Sequence, residues 1–110
     1  STAAVSGDGP AHYVASKAAL VGYTRASAME LAPRNILVNA IAPGLIDTPL
    51  LRNLTPERMA AQLALQPTGK AGRPEDVAHA VSFLVSAQTD FITGQVIFVD
   101  GGKSLGGSGA

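Results

Sequence analysis

The chain has 110 residues, 46% of them apolar, and its eight basic residues balance eight acidic ones. An apolar share of this size suits a packed globular unit, the neutral balance argues against a nucleic-acid or membrane partner, and no run approaches the ~20 apolar residues of a membrane span. Cysteine is absent, which excludes disulfides and thiolate metal sites and agrees with a reducing compartment.

In chain order, Gly7-Asp8-Gly9-Pro10 is turn chemistry, and residues 11–32, rich in Ala, Leu, Met, Glu and Arg, predict a long helix. Pro33 ends it, because proline has no N–H to continue the ladder and restrains the residue before it. Ala15, Ala18, Ala19, Gly22 and Ala26 leave few bulky groups on several faces, so the helix is expected to pack closely against more than one neighbour.

Residues 35–42, with Ile36, Val38 and Ile41, predict a strand buried on both faces and closed by Pro43-Gly44. Residues 45–72 change pattern, with Leu50, Leu51, Leu54, Met59, Leu63 and Leu65 set around Thr55-Pro56-Glu57. Thr55 suits an N-cap and Pro56 the first helical position of a two-part lobe. Another helix starts near Pro74, where Glu75 and Asp76 favour the positive end of the dipole, and residues 95–99 read as a second buried strand.

The order helix, strand, lobe, helix, strand is part of an α/β fold, a doubly wound Rossmann-type parallel sheet of about two strands. Residues 1–103 form one unit, and the Gly/Ser-rich residues 104–110 are expected to fray as a flexible tail. Two parallel strands alone leave an edge and apolar surface uncovered. The isolated chain is therefore expected to be poorly stable or to self-associate.

The chemistry centres on His12-Tyr13-Val14-Ala15-Ser16-Lys17. On a helix, residues four apart share a face, with about 5–6 Å between Cβ atoms, and an ammonium so placed favours a phenolate over a phenol. Tyr13 could thereby act as a general acid or base. Taken alone, the spacing equally describes a half-buried aromatic beside a solvated lysine.

Three further segments follow in order: Asn39-Ala40-Ile41-Ala42-Pro43-Gly44-Leu45-Ile46-Asp47-Thr48, Gly72-Arg73-Pro74-Glu75-Asp76-Val77-Ala78, and Thr93-Gly94-Gln95-Val96-Ile97-Phe98-Val99-Asp100-Gly101-Gly102. With the Tyr13/Lys17 run, they make a sequence that resembles the C-terminal half of the short-chain dehydrogenase/reductase family. The resemblance implies an NAD(P)-dependent oxidoreductase that interconverts a secondary alcohol and a ketone by hydride transfer. It implies Tyr13 as the general acid/base, and Lys17 as the cation that favours its phenolate and binds the nicotinamide ribose. Pro43 and Gly44 would turn the backbone so that Ile46 presents main-chain groups to the nicotinamide carboxamide, with Thr48 bonding nearby.

The family places a catalytic Ser thirteen residues before the Tyr, whereas Ser1 lies twelve before Tyr13. Either the loop is one residue shorter and Ser1 is catalytic, or that Ser precedes this sequence. Ser6 fits a loop residue, and Ser16 is expected to face away from Tyr13. The family's catalytic Asn has no counterpart, since Asn39 is expected in a strand. No Gly-rich turn between a first strand and helix occurs here, so the adenosine half of the cofactor and the residues choosing NAD or NADP are expected upstream.

The resemblance further implies a small-molecule alcohol or ketone substrate, a cytoplasmic protein, and a homo-oligomer built through the long helix. His12 could line the substrate pocket or be polar surface, and Asp47 could touch a ligand or be a solvated loop carboxylate. His79 has no metal-ligand partner at helical spacing. The turn Asp100-Gly101-Gly102 is expected to be structural, and the leucines and Met59 of the lobe could form a lid or simply a core. Against the oxidoreductase stands an alternative for the chain by itself: a non-catalytic remnant or self-association module.

Overall fold

The computed structural model describes residues 9–106. Helix α1 spans Ala11–Leu31 and runs on into a 3-10 turn, Ala32–Arg34, with Pro33 near its start where a missing N–H costs nothing. Asn35 leaves that turn in the left-handed region at φ 58°. Strand β1 is Ala40–Pro43, α2 is Pro49–Arg52, α3 is Pro56–Ala64, α4 is Pro74–Val85 and β2 is Val96–Val99, followed by a 3-10 turn at Lys103–Leu105.

The two strands pair in parallel, Ala40 opposite Val96 and Pro43 opposite Val99. The expected strand over 35–42 is thus corrected towards its C-terminal end. Residues 36–39 are held by other means: Val38 N–H donates to the Thr93 hydroxyl (3.0 Å), and Gly94 N–H to the Val38 carbonyl (2.7 Å). Asn39, expected in the strand, precedes it and clamps the opposite segment, its amide donating to the Ile92 carbonyl and accepting from Gln95 N–H. Pro43 is tolerated in β1 because the ladder bonds come from the alternate residues Ala40 and Gly44, whose N–H groups donate to Gln95 and Val99 carbonyls. The donor that Pro43 lacks falls on the other edge.

Burial on both faces was expected for the strands, yet only Ala42 is buried and the other strand residues are half-buried. Helix α4 packs on both strands, and a two-stranded sheet has an open edge on each side. Helix α1 departs from expectation for the same reason. Among its residues only Thr24 and Ala28 are buried, Leu20, Tyr23 and Met29 are exposed, and a Cβ at Gly22 would meet nothing within 4 Å. Its composition suits several neighbours, but among the described residues one face is covered.

The lobe and α4 form as their sequence dictates. The Thr55 hydroxyl accepts from Arg58 N–H (3.3 Å) with Pro56 opening α3. The Asp76 carboxylate accepts from Arg73 N–H at 2.7 Å, closing the first turn of α4. Ser104 and Leu105, expected to fray, belong to the turn anchored on Asp100, which accepts from Gly102 and Ser104 N–H groups at 3.0 and 2.8 Å.

Candidate active site

Tyr13 and Lys17 lie in the first two turns of α1, with the Lys17 Nζ 5.3 Å from the centroid of the Tyr13 ring. That is inside the ~6 Å reach of a cation–π contact. Tyr13 is 40% exposed and Lys17 half-buried. Ser16 donates its hydroxyl to the Tyr13 carbonyl at 2.8 Å, engaging the helix main chain. His12 is exposed beside the pair.

Inward of Tyr13, Lys17 forms part of one wall of a cleft of about 220 Å³, with Leu20, Val21 and Thr24. The opposite wall is β1 through Pro43, with Val96 and Phe98 of β2. The fold therefore brings Lys17 to the strand that ends in the Pro43-Gly44 turn. Ligands of open α/β sheets bind at the carboxyl ends of such strands.

The segment after β1 is held tightly. Gly44 passes so close to the other strand's end that a Cβ there would lie 2.7 Å from Asp100 Cα and 3.0 Å from Gln66 Oε1. Leu45 N–H donates to Gln66 Oε1 at 2.9 Å. On the other side, Gly72 N–H donates to the Leu45 carbonyl and Asp47 N–H to the Gly72 carbonyl, both at 2.8 Å, making a parallel bridge between Ile46 and Gly72. In extended backbone, a residue's own N–H and C=O point opposite to the neighbouring groups that make such a bridge. The main-chain groups of Ile46 therefore face away from Gly72, and neither has a partner among the described residues. Thr48 begins α2, its carbonyl accepting from Arg52 N–H at 3.2 Å while its hydroxyl makes no capping bond.

The remaining candidates take quieter places. Asp47 pairs with Arg52 at 3.1 Å on an exposed surface. His79 is exposed, and no three His, Cys, Asp or Glu among the described residues could hold a metal ion. Leu51 is buried and Leu50 exposed, so the lobe's leucines are divided between core and surface. Burial pushes the Asp100 carboxyl up, but bonds from the Ser104 hydroxyl and N–H and from Gly102 N–H outweigh this and hold it below the ordinary carboxylate value. The Arg73 guanidinium, and then the Arg73 N–H, hold Asp76 down to about 2, and the same pair raises Arg73. Ser1 and Ser6 lie outside the described residues.

Gln66 went unnoticed in the sequence. It is 3% exposed, its Oε1 accepting from Leu45 and its Nε2 donating to the Lys70 carbonyl at 3.0 Å. Nothing in the local pattern distinguishes it from a solvated polar residue at a helix end, because its main partner is distant in sequence.

A Tyr/Lys helix laid against a parallel sheet, with a glycine turn leaving the strand's carboxyl end, is part of a Rossmann-type α/β fold. The family model described as enoyl-(acyl carrier protein) reductase matches residues 1–104. A 3-oxoacyl-[acyl-carrier-protein] reductase of Thermotoga maritima is 47% identical over 94 residues, covering 86% of this chain and 38% of that protein. The (2S)-[(R)-hydroxy(phenyl)methyl]succinyl-CoA dehydrogenase subunit BbsD of Thauera aromatica is 46% identical over 105 residues, covering 96% of this chain and 42% of the relative. A 3-oxoacyl-[acyl-carrier-protein] reductase of Rickettsia bellii is 48% identical over 102 residues, covering 92% and 42%. The chain belongs to the short-chain dehydrogenase/reductase family of oxidoreductases, and it spans about two fifths of the length of these curated relatives. No helix among the described residues is long and apolar enough to cross a membrane.

Proposed function

We propose that these residues supply the proton-transfer and nicotinamide-side half of an NAD(P)-dependent reductase that interconverts a ketone and a secondary alcohol. The observation that carries this reading is the Tyr13/Lys17 pair, with Nζ 5.3 Å from the ring and Lys17 lining the cleft that Pro43 closes. The names of the relatives, two 3-oxoacyl-[acyl-carrier-protein] reductases and a (2S)-[(R)-hydroxy(phenyl)methyl]succinyl-CoA dehydrogenase subunit, favour an acyl thioester bearing the ketone. The cytoplasmic location and homo-oligomer expected of the family belong to this same proposal.

The residues present suit a nicotinamide riboside. Among the described residues the N–H and C=O of Ile46 have no partner and match the donor and acceptor of a carboxamide, the Thr48 hydroxyl makes no capping bond, and Lys17 offers an ammonium to ribose hydroxyls. When bound, the nicotinamide supplies or accepts the hydride. Tyr13 gives its hydroxyl proton to the substrate oxygen as the ketone is reduced and takes it back in the reverse direction. Lys17, beside the ring, stabilises the negative charge left on Tyr13. Placing both on one helical face keeps the reacting oxygen and the ribose side by side. Ser1 is kept as the candidate that would hold the substrate oxygen.

The test is a chimera in which this chain replaces the aligned segment of the Thermotoga maritima reductase. It is expected to reduce acetoacetyl-CoA, a simple 3-oxoacyl thioester, with NADH or NADPH. A folded chimera that binds cofactor and turns over no ketone contradicts the proposal. The association-module reading draws on Leu20, Tyr23, Met29, Phe83 and Phe91, all exposed. It expects the chain by itself to sediment as a dimer or larger, whereas a dilute monomer with a sharp thermal transition would remove it.

A further inference from the structure

We infer that Gln66 is a positioning residue for the nicotinamide end of the cofactor. The inference rests on the reading of residues 43–48 as that site, and adds what holds them in shape. Segment 44–47 is pinned between two supports. On one side the Gly72 main chain takes the Leu45 carbonyl and the Asp47 N–H, at 2.8 Å each. On the other, the Gln66 side chain takes the Leu45 N–H at 2.9 Å. Among the described residues the N–H and C=O of Ile46 have no partner, while its neighbours Leu45 and Asp47 are committed to the bridge on either side.

Gln66 suits this task chemically. It is 3% exposed, and its two amide ends are both used, the oxygen on Leu45 and the nitrogen on the Lys70 carbonyl. The second bond fixes the orientation of the amide, so that an oxygen and not an NH2 meets Leu45 N–H. Together the two bonds tie the segment to the chain around Lys70, two residues before Gly72. The two supports are therefore linked, and a shift of one carries the other. Gly44 adds the third constraint, because only a residue without a side chain passes between Gln66 Oε1 and Asp100. An apolar side chain of similar length at position 66 would fill the same space and leave the part-buried Leu45 N–H and Lys70 C=O without this partner.

The experiment uses the Thermotoga chimera and compares NADH and NADPH with ADP-ribose and its 2′-phosphate, which lack the nicotinamide. Gln66→Met is expected to weaken the nicotinamide-bearing ligands about tenfold while leaving the nicotinamide-free ones within about twofold, because the lost bond to Leu45 N–H lies next to Ile46 and so acts on the nicotinamide end alone. Gln66→Glu keeps an oxygen for Leu45 N–H and, when protonated, an O–H for the Lys70 carbonyl, and is expected to restore most of that discrimination at acid pH. Equal weakening of both ligand classes by Gln66→Met, or equal loss of discrimination in Gln66→Glu at acid pH, overturns the positioning role and leaves Gln66 as a purely structural residue. If Gln66→Met does not fold, Gln66→Asn, whose amide is one methylene too short to reach Leu45 N–H, takes its place with the same expected and overturning results. Ile46→Pro, which deletes the Ile46 N–H on its unbridged side, separates this proposal from the reading beneath it. Where Ile46→Pro weakens nicotinamide binding and Gln66→Met does not, the Gln66 proposal alone fails; where Ile46→Pro changes nothing, the nicotinamide reading of the segment fails.

Discussion

The helix that carries Tyr13 and Lys17 and the segment that follows β1 are the two halves of the candidate site, and they are held in opposite ways. Residues 44–47 are fixed from three directions by Gln66, Gly72 and Asp100, so closely that Gly44 has no room for a Cβ. Helix α1 buries only Thr24 and Ala28, and Gly22 faces open space. The difference teaches that the part presenting main-chain groups is built from contacts within this chain. The part presenting side-chain chemistry is built locally as a helix, with much of its surface left for other neighbours.

Perturbations of the two halves should differ accordingly. In the Thermotoga chimera, Lys17→Met is expected to lower kcat/KM for ketone reduction by about a hundredfold without changing the unfolding midpoint, since it removes charge stabilisation from a half-buried helical site. An unchanged kcat/KM would detach Lys17 from the chemistry. Gly44→Ala should instead act on stability, costing about 3 kcal/mol in denaturant unfolding because its Cβ meets backbone that cannot yield. Gly22→Ala should go the other way and add about 1 kcal/mol, a helix-interior glycine replaced where space is open. A loss at Gly22 comparable with that at Gly44 would mean that α1 is packed as closely as the segment after β1.

The smallest effect is expected at the α4 cap. Asp76 is held down to about 2 from an ordinary 3.8, so the folded form favours its carboxylate. Its contribution is complete above the ordinary value and is lost as pH falls through about 2. The difference in thermal midpoint between the wild type and Asp76→Asn should therefore be constant near neutrality and vanish at the acid end. A difference that persists below that range would place the cap's contribution in packing and not in charge.

What the sequence made legible follows the range of each interaction. Pro74 with Glu75 and Asp76 announces a helix start through the first-turn dipole, and Thr55 with Pro56 does so because its cap is satisfied within three residues. Tyr13 and Lys17 could be paired on one face for the same reason. Residues 36–39 misled because a short apolar run describes an extended loop as well as a strand, and only pairing with β2 decides between them. The burial of α1 was over-read because it depends on which neighbours are present and not on the helix's own composition. Gln66 and the bridge from Ile46 to Gly72 were invisible, since their bonds join residues from opposite ends of the lobe and no local pattern encodes them. Ser1 lies outside the described residues, and its role stands as the resemblance implies it.

The most direct test of the central claim is the single-turnover rate of hydride transfer to acetoacetyl-CoA in the chimera carrying Tyr13→Phe, with cofactor already bound. The account predicts a rate lower by about a thousandfold, the usual scale for loss of a positioned general acid, with cofactor affinity within about twofold of the wild type. Transfer at the wild-type rate would contradict it and remove Tyr13 from the proton path.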